Sequence, residues 1–304
     1  MKNSIKVVSI VGPTASGKTK LSVELAKHFN GEIVSADSMQ IYSGMQIATA
    51  KPTKAEMDGV PHHMMGFLPP DKTYSVASYV NDASKCIADI HSRGMLPFIV
   101  GGTGLYVDSL LNNISFSDDK RDEEYCSKLR KIGEEDGTDR LLDMLSEFDP
   151  ESAQRLRGGR NIKRIIRAIE FYKTTGKTIT EQIKESHNIP SPYSAVKLGL
   201  NCRDRQVLYD RINRRVDIML DEGLLEEAQR VINSELSYTS VKAIGYKELI
   251  PYFKGSKSLN DCVEKLKMET RRYAKRQITW FKRDTEINLS LIHISEPTRL
   301  ALIS

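Results

Sequence analysis

Gly12-Pro13-Thr14-Ala15-Ser16-Gly17-Lys18-Thr19 matches GxxxxGK[ST] in full, and no other stretch constrains the fold of this chain as tightly. The pattern has meaning only between a buried strand and a helix. Ile5 to Val11, IKVVSIV, is apolar on both faces, as a parallel strand covered from both sides must be. Beyond the octapeptide, Leu21, Leu25 and Phe29 recur at helical spacing, and Gly31 ends that helix. In this setting the backbone N–H groups of residues 12–19 turn inward around a phosphate, at the positive end of the following helix. Lys18 adds a point charge, and the Thr19 hydroxyl is a natural Mg²⁺ ligand. Gly12, Pro13, Thr14, Ala15, Ser16, Gly17, Lys18 and Thr19 are therefore candidate diphosphate-binding residues. Two phosphates in a row satisfy such a loop, so a diphosphate leaving group fits as well as a nucleoside triphosphate.

The pattern continues as an α/β domain. Glu32 to Ser35 reads as a second strand closing at Asp37, Tyr74 to Ser92 as a helix, and Leu96 to Val100 as a third strand ending at Gly101-Gly102. Val76, Tyr79, Val80, Ala83, Ile87 and Ile90 share one face of that helix. This order predicts right-handed crossovers and a P-loop NTPase-like three-layer core with a parallel sheet. Strand ends in such a sheet converge on the ligand crevice. Asp37 is thus a candidate metal-associated carboxylate or general base, with a turn cap as its plain alternative. Thr103 offers a hydroxyl at the same edge, in a GGTG turn that an ordinary strand-to-helix connection explains equally well. From residue 118 strand character disappears, and it resumes at Ala195 to Leu200. The expected organisation is a core over 1–117, a helical insertion domain over 118–192, and core completion with helices at 204–220, 222–234 and 262–283 over 193–289. Residues 290–304 form a tail expected to pack poorly.

Charge localises the partner. The 304 residues carry +5, yet 155–167 and 265–283 together hold +13 in 32 residues, leaving −8 on the remainder. Such asymmetry points to a polyanion, nucleic acid first, against the alternative of solvated helix faces. Cys86, Cys126, Cys202 and Cys262 are widely spaced and form no CxxC pair, so a zinc or disulfide framework is not expected. His62 and His63 follow Val60-Pro61 in a predicted loop and read as loop packing. No apolar run reaches the ~18 residues of a membrane span, and the expected location is the cytoplasm.

The motifs then resemble one family. GPTASGKT at 12–19, SADSMQIY at 35–42, KPT at 51–53, GVPHHM at 59–64 and VGGTGLY at 100–106 occur in order. They continue with RAIEFYKTTGKTITE at 167–181, LYDRINRRVDIML at 208–220, KAIGYKEL at 242–249 and YAKRQITWFKR at 273–283. The series resembles the bacterial tRNA dimethylallyltransferases, or tRNA isopentenyltransferases of the IPP transferase family, from residue 5 to about 285. The resemblance implies transfer of a dimethylallyl group from dimethylallyl diphosphate to the N6 amine of the adenosine 3′ of the anticodon, position 37 of tRNA. It implies Mg²⁺ at Thr19 and Asp37, and Asp37 as proton acceptor with Thr103 positioning the amine. It also implies Arg211 and Arg215 at the diphosphate beside Lys18, where surface ion pairs with Asp210 or Asp217 are the alternative. The anticodon stem-loop is expected at Asp37, Ser38, Met39, Gln40 and Thr103, along Lys163, Arg164, Ile165, Ile166 and Arg167, and along Lys242, Ala243, Ile244, Gly245, Tyr246 and Lys247. Tyr273, Trp280 and Phe281 are expected to face the core. No obligate protein partner is implied, and a monomer is expected.

Two departures stand out. Residues 290–304 do not resemble the family's ending, and the zinc finger of eukaryotic relatives has no counterpart in these cysteines and histidines. The competing reading is a small-molecule kinase using ATP on the same nucleotide-binding loop. A kinase leaves the two basic stretches without a purpose.

Overall fold

Ile5–Val11 forms strand β1 at the heart of a six-stranded sheet. The computed structural model describes residues 4–114, 122–187, 190–234, 240 and 243–292. The other strands are β2 (Gly31–Ser35), β3 (His62–His63), β4 (Leu96–Gly101), β5 (Tyr193–Cys202) and β6 (Asn288–Ile292), in the spatial order β3-β2-β4-β1-β5-β6. Every pairing is parallel, with Val8 opposite Phe98 and Val196, and Ile33 opposite Phe98. Because β4 lies between β1 and β2, the turns leaving all three emerge side by side.

The chain divides into two units, Met1–Leu111 with Pro192–Ser304, and Asn112–Ser191. In the first, alternate residues of each strand feed opposite faces. Ile10, Ile33 and Phe98 pack with Val23 and Ala26 of α1 (Lys18–His28). Val11, Val34 and Ile99 pack with Tyr79, Ala83, Ile87 and Ile90 of α3 (Val76–Ser92) and with Val107 and Leu110 of α4 (Gly104–Leu111). Each fully buried Val, Leu, Ile or Phe among them contributes about 1.5–3 kcal/mol. The three-layer α/β expectation is met. The short α2 (Lys54–Met57) follows a Thr53–Glu56 capping box.

The second unit is helical: α5 (Glu123–Glu135), α6 (Thr138–Ser146), α7 (Pro150–Arg157), α8 (Ile162–Thr175) and α9 (Ile179–His187). Leu129, Leu141, Leu142, Leu145, Ile165 and Ile169 form its core. The first unit closes with α10 (Arg205–Asp221), α11 (Leu224–Ile232), α12 (Ile250–Phe253) and α13 (Leu259–Phe281).

Four differences from the sequence expectations have physical reasons. Phe29 is 55% exposed, because it caps the end of α1 and sets its ring edge-on against His28; Ser22, Val23 and Ala26 make the buried face instead. His62 and His63 form the edge strand β3, too short to show a period, and the His63 ring bonds to the Glu32 carboxylate at 2.7 Å. The insertion begins at 112 rather than 118. Ser290, Leu291 and Ile292, assigned above to a loose tail, extend β6, which pairs with β5 in parallel register; residues 293–304 lie outside the described residues.

Candidate active site

The phosphate loop owes its shape to backbone that most side chains resist. Gly17, the residue before α1, has φ +87° and offers no side-chain cap. The first N–H groups of α1 therefore lack an intramolecular side-chain acceptor at their open end. Lys18 Nζ donates to the carbonyls of Gly12 (3.0 Å) and Pro13 (2.7 Å). Desolvation is the main cause that pulls its pKa down to about 8, reinforced by Arg215 and opposed by Asp37. The Ser16 hydroxyl is buried with no partner.

Asp37 follows β2, and its Oδ1 accepts from the backbone N–H of Met39 (2.9 Å) and Gln40 (3.3 Å). The turn-cap reading is thus realised, and it engages one oxygen only. Thr103 follows β4: its N–H donates to the Ala36 carbonyl (3.1 Å), and its hydroxyl accepts from the Ser38 N–H (3.0 Å). Asp37 and Thr103 are brought together by these crossed bonds between neighbouring strand ends.

A cavity of about 930 Å³ opens over this edge. Thr14 to Thr19, Asp37 to Gln40, Gln46 to Thr53, Arg215, Ala243 to Gly245 and Lys247 line it. Arg215 donates to the Ala50 carbonyl at 3.4 Å, and burial lowers its pKa against the pull of Glu56, Glu222 and Asp37. Arg211, one turn away, does not line the cavity; it stands near the Cys202 thiol. The ion-pair alternative for these arginines is not what forms: Asp210 is bonded by Gln206, and Asp217 by Lys267.

The expected RNA-contacting residues separate. Lys163 and Arg164 are exposed on α8, and Arg167 pairs with Glu170 while its guanidinium lies 5.5 Å from the Phe171 ring centroid. Ile165 and Ile166 are corrected: both are buried in the core of the helical unit, because a helix that shows its basic face outward turns these positions inward. Tyr246 is also buried, with its hydroxyl on Glu227. Lys242 lies outside the described residues.

Arg276 and Gln277 escaped the sequence reading, and Tyr273, expected to face the core, is corrected: it turns to the cavity instead. Tyr273, Arg276 and Gln277 of α13 line the cavity. Gln277 accepts from the Thr14 N–H (2.9 Å) and donates to the Gly102 carbonyl (3.0 Å), joining the phosphate loop to the end of β4. The Tyr273 hydroxyl stands beside Asp37, Thr103 and Gln277, its pKa raised chiefly by burial. Trp280 and Phe281 do face the core, with the indole N–H on Asp108 at 2.6 Å. The signal for Tyr273 and Gln277 was their helical spacing with Leu266 and Thr270, which places all four on one face of α13.

The Thr19 hydroxyl and the Asp37 carboxylate, the oxygen donors expected at Mg²⁺, both line the cavity, and the Ser16 hydroxyl of the loop is buried without a partner. Among the described residues no group of three or more His, Cys, Asp or Glu side chains could cage an ion. Such a sparse oxygen set fits Mg²⁺ shared with phosphate and water. No helix among the described residues is long and apolar enough to cross a membrane.

Known proteins match along nearly the whole chain. The IPP transferase family profile matches residues 40–284, and the Isopentenyl transferase profile matches residues 5–65. A tRNA dimethylallyltransferase of Caldanaerobacter subterraneus subsp. tengcongensis is 50% identical over 284 residues, covering 92% of this chain and 89% of that protein. The crystal structure of the full-length tRNA isopentenylpyrophosphate transferase from Bacillus halodurans superposes with a TM-score of 0.69 at 46% identity, covering 94% and 89% of the two chains. A eukaryotic dimethylallyltransferase acting on tRNA superposes with a TM-score of 0.78 at 31% identity, covering 94% of this chain and 73% of that one.

Proposed function

The chain belongs to the IPP transferase family, and from that premise we propose how its residues transfer a dimethylallyl group to adenosine 37 of tRNA. The observation that carries the assignment of roles is the meeting of Asp37, Thr103 and the phosphate loop at three adjacent strand ends. The loop N–H groups and Lys18 hold the diphosphate of dimethylallyl diphosphate, with Arg215, which lines the same cavity, as a further cation beside it. The Thr19 hydroxyl would hold Mg²⁺, which would supply charge neutralisation to the departing diphosphate and leave Asp37 free to act as the base. The adenine N6 lone pair attacks the allylic carbon, the carbon–oxygen bond breaks, and its electron pair leaves with the diphosphate. The N6 proton passes to the Asp37 oxygen left free by the turn. Thr103, fixed by the Ser38 N–H, positions the amine. Arg211, away from the cavity, has no part in this scheme as drawn.

The base must leave the anticodon-loop stack to enter, and a loop makes that unstacking cheap. Lys163, Arg164 and Lys247, exposed and basic, are the contacts we assign to the anticodon stem-loop. We place the enzyme in the cytoplasm, as a monomer.

The test is nucleoside mass spectrometry of unmodified tRNA incubated with Mg²⁺ and dimethylallyl diphosphate, with ATP replacing the prenyl donor in a parallel tube. Prenylated adenosine in the first tube alone is expected; ATP consumption with a small acceptor would favour a kinase. Asp37→Ala should lower turnover by roughly 10²- to 10⁴-fold and leave tRNA affinity within a few fold. Equal losses in both would remove Asp37 as the base.

A further inference from the structure

Glu227 takes no part in the scheme above, yet it is 2% exposed in the first turn of α11. A buried carboxylate is costly unless dipoles or cations fill its lone pairs. Here the partners are dipoles. Oε2 accepts from the N–H of Gln46 (2.8 Å) and Ile47 (2.9 Å), and Oε1 from the N–H of Ile47 (3.0 Å) and Ala48 (2.9 Å). The Tyr246 hydroxyl donates to Oε1 at 2.9 Å. Burial first, and then the charge of Glu227, hold that phenol protonated and therefore a donor.

Both tethered segments are walls of the cavity. Gln46 to Lys51 form one side and Ala243 to Gly245 another. The first reaches the donor end directly, since the Ala50 carbonyl receives Arg215. The two walls also touch: Gly245 has φ +114°, and a Cβ there would come within 2.8 Å of the Ala48 Cβ. One carboxylate thus fixes three successive amides of one wall and the tyrosine of the other.

We infer that Glu227 is a positioning residue, which preforms the wall at 46–50 against the 243–246 segment so that Arg215 meets the donor diphosphate in the correct place. This rests on reading the cavity as the donor and base site.

Glu227→Gln keeps the size and turns one acceptor oxygen into an amide NH₂ facing backbone N–H donors. The expected result is a KM for dimethylallyl diphosphate raised on the order of tenfold and a lower kcat, since hydrogen bonds to a charged group are lost. Amide exchange should accelerate at residues 46–48 specifically. Glu227→Asp, which keeps the charge and shortens the reach, should fall between wild type and Glu227→Gln. A folded Glu227→Gln enzyme with wild-type donor KM and unchanged exchange at 46–48 would overturn the inference. A fall in the active fraction alone, at unchanged KM, would overturn it equally. Should Glu227→Gln fail to fold, Tyr246→Phe removes one bond of the set: a raised donor KM supports the inference, and a wild-type value ends it. Exchange at 46–48 reports on Glu227 even where no prenylated adenosine forms, so failure of the functional reading is seen separately, in the wild-type reaction.

Discussion

Helices α8 and α13 each carry part of one of the two densest basic stretches of the chain, and they use that charge differently. On α8, Lys163 and Arg164 are exposed and have no carboxylate partner among the described residues, while Ile165 and Ile166 turn into the core. On α13, Lys265 and Arg272 pair with Glu269, Lys267 with Asp217 and Glu264, and Arg271 bonds to Asn213. Its face towards the cavity carries Tyr273, Arg276 and Gln277. A charge count along the sequence treats the two as equals. The structure separates a helix whose Lys163 and Arg164 meet no carboxylate from one where carboxylates engage Lys265, Lys267 and Arg272, and where Lys267 and Arg271 reach across to α10.

The largest expected effect that sharpens this contrast is at Gln277. Gln277→Ala unhooks Thr14 and Gly102, and turnover at limiting donor should fall on the order of tenfold or more, with tRNA affinity within twofold. Steady-state kinetics beside a binding assay decides it; parallel losses would break the division of labour. Next comes Lys163→Ala with Arg164→Ala. tRNA affinity should drop several fold, and the plot of log affinity against log salt should become shallower by about one to two, without loss of thermal stability. An unchanged salt slope would mean that α8 does not meet RNA.

A smaller effect is expected at Lys267, whose ion pairs are partly screened. Lys267→Ala should cost about 1 kcal/mol or less, read as a slight fall in Tm, and leave the salt slope of tRNA binding intact. The smallest concerns Lys18. Its pKa of about 8 lies below the ordinary lysine value, so part of the population is neutral above pH 8. A bound diphosphate favours the charged form. Donor binding at pH 8.5 should therefore take up a fraction of a proton, and at pH 6.5 none at this group. Calorimetry in two buffers of different ionisation heat measures it, and no uptake at pH 8.5 would contradict the placement of Lys18 against the phosphate.

What was legible in the sequence follows from how local each signal is. The phosphate loop is one contiguous octapeptide whose flanking strand and helix announce themselves, and Asp37 and Thr103 follow from the rule that strand ends converge. Edge strands β3 and β6, with two and five residues, are too short or too terminal to show a period. Ile165 and Ile166 were misassigned because a motif names consecutive residues, whereas a helix sends neighbours to different faces. Gln277 and Glu227 were invisible for a different reason. Apart from the Tyr246 hydroxyl on Glu227, their partners are backbone atoms of residues 14, 102 and 46–48, and no residue type in those segments advertises the bond.

The bond between Thr14 and Gln277 spans 263 residues, and this sets a timetable for synthesis. The phosphate loop leaves the ribosome 263 residues ahead of its clasp. At roughly 5–20 residues per second, the interval is on the order of ten to fifty seconds. For the larger part of that time β1 also lacks β5, one of its two neighbours in the sheet. A nascent chain that ends before residue 277 carries a complete phosphate-binding sequence without the clasp that joins it to the neighbouring strand end. Premature termination anywhere upstream should therefore yield fragments unable to compete with the finished enzyme for its donor.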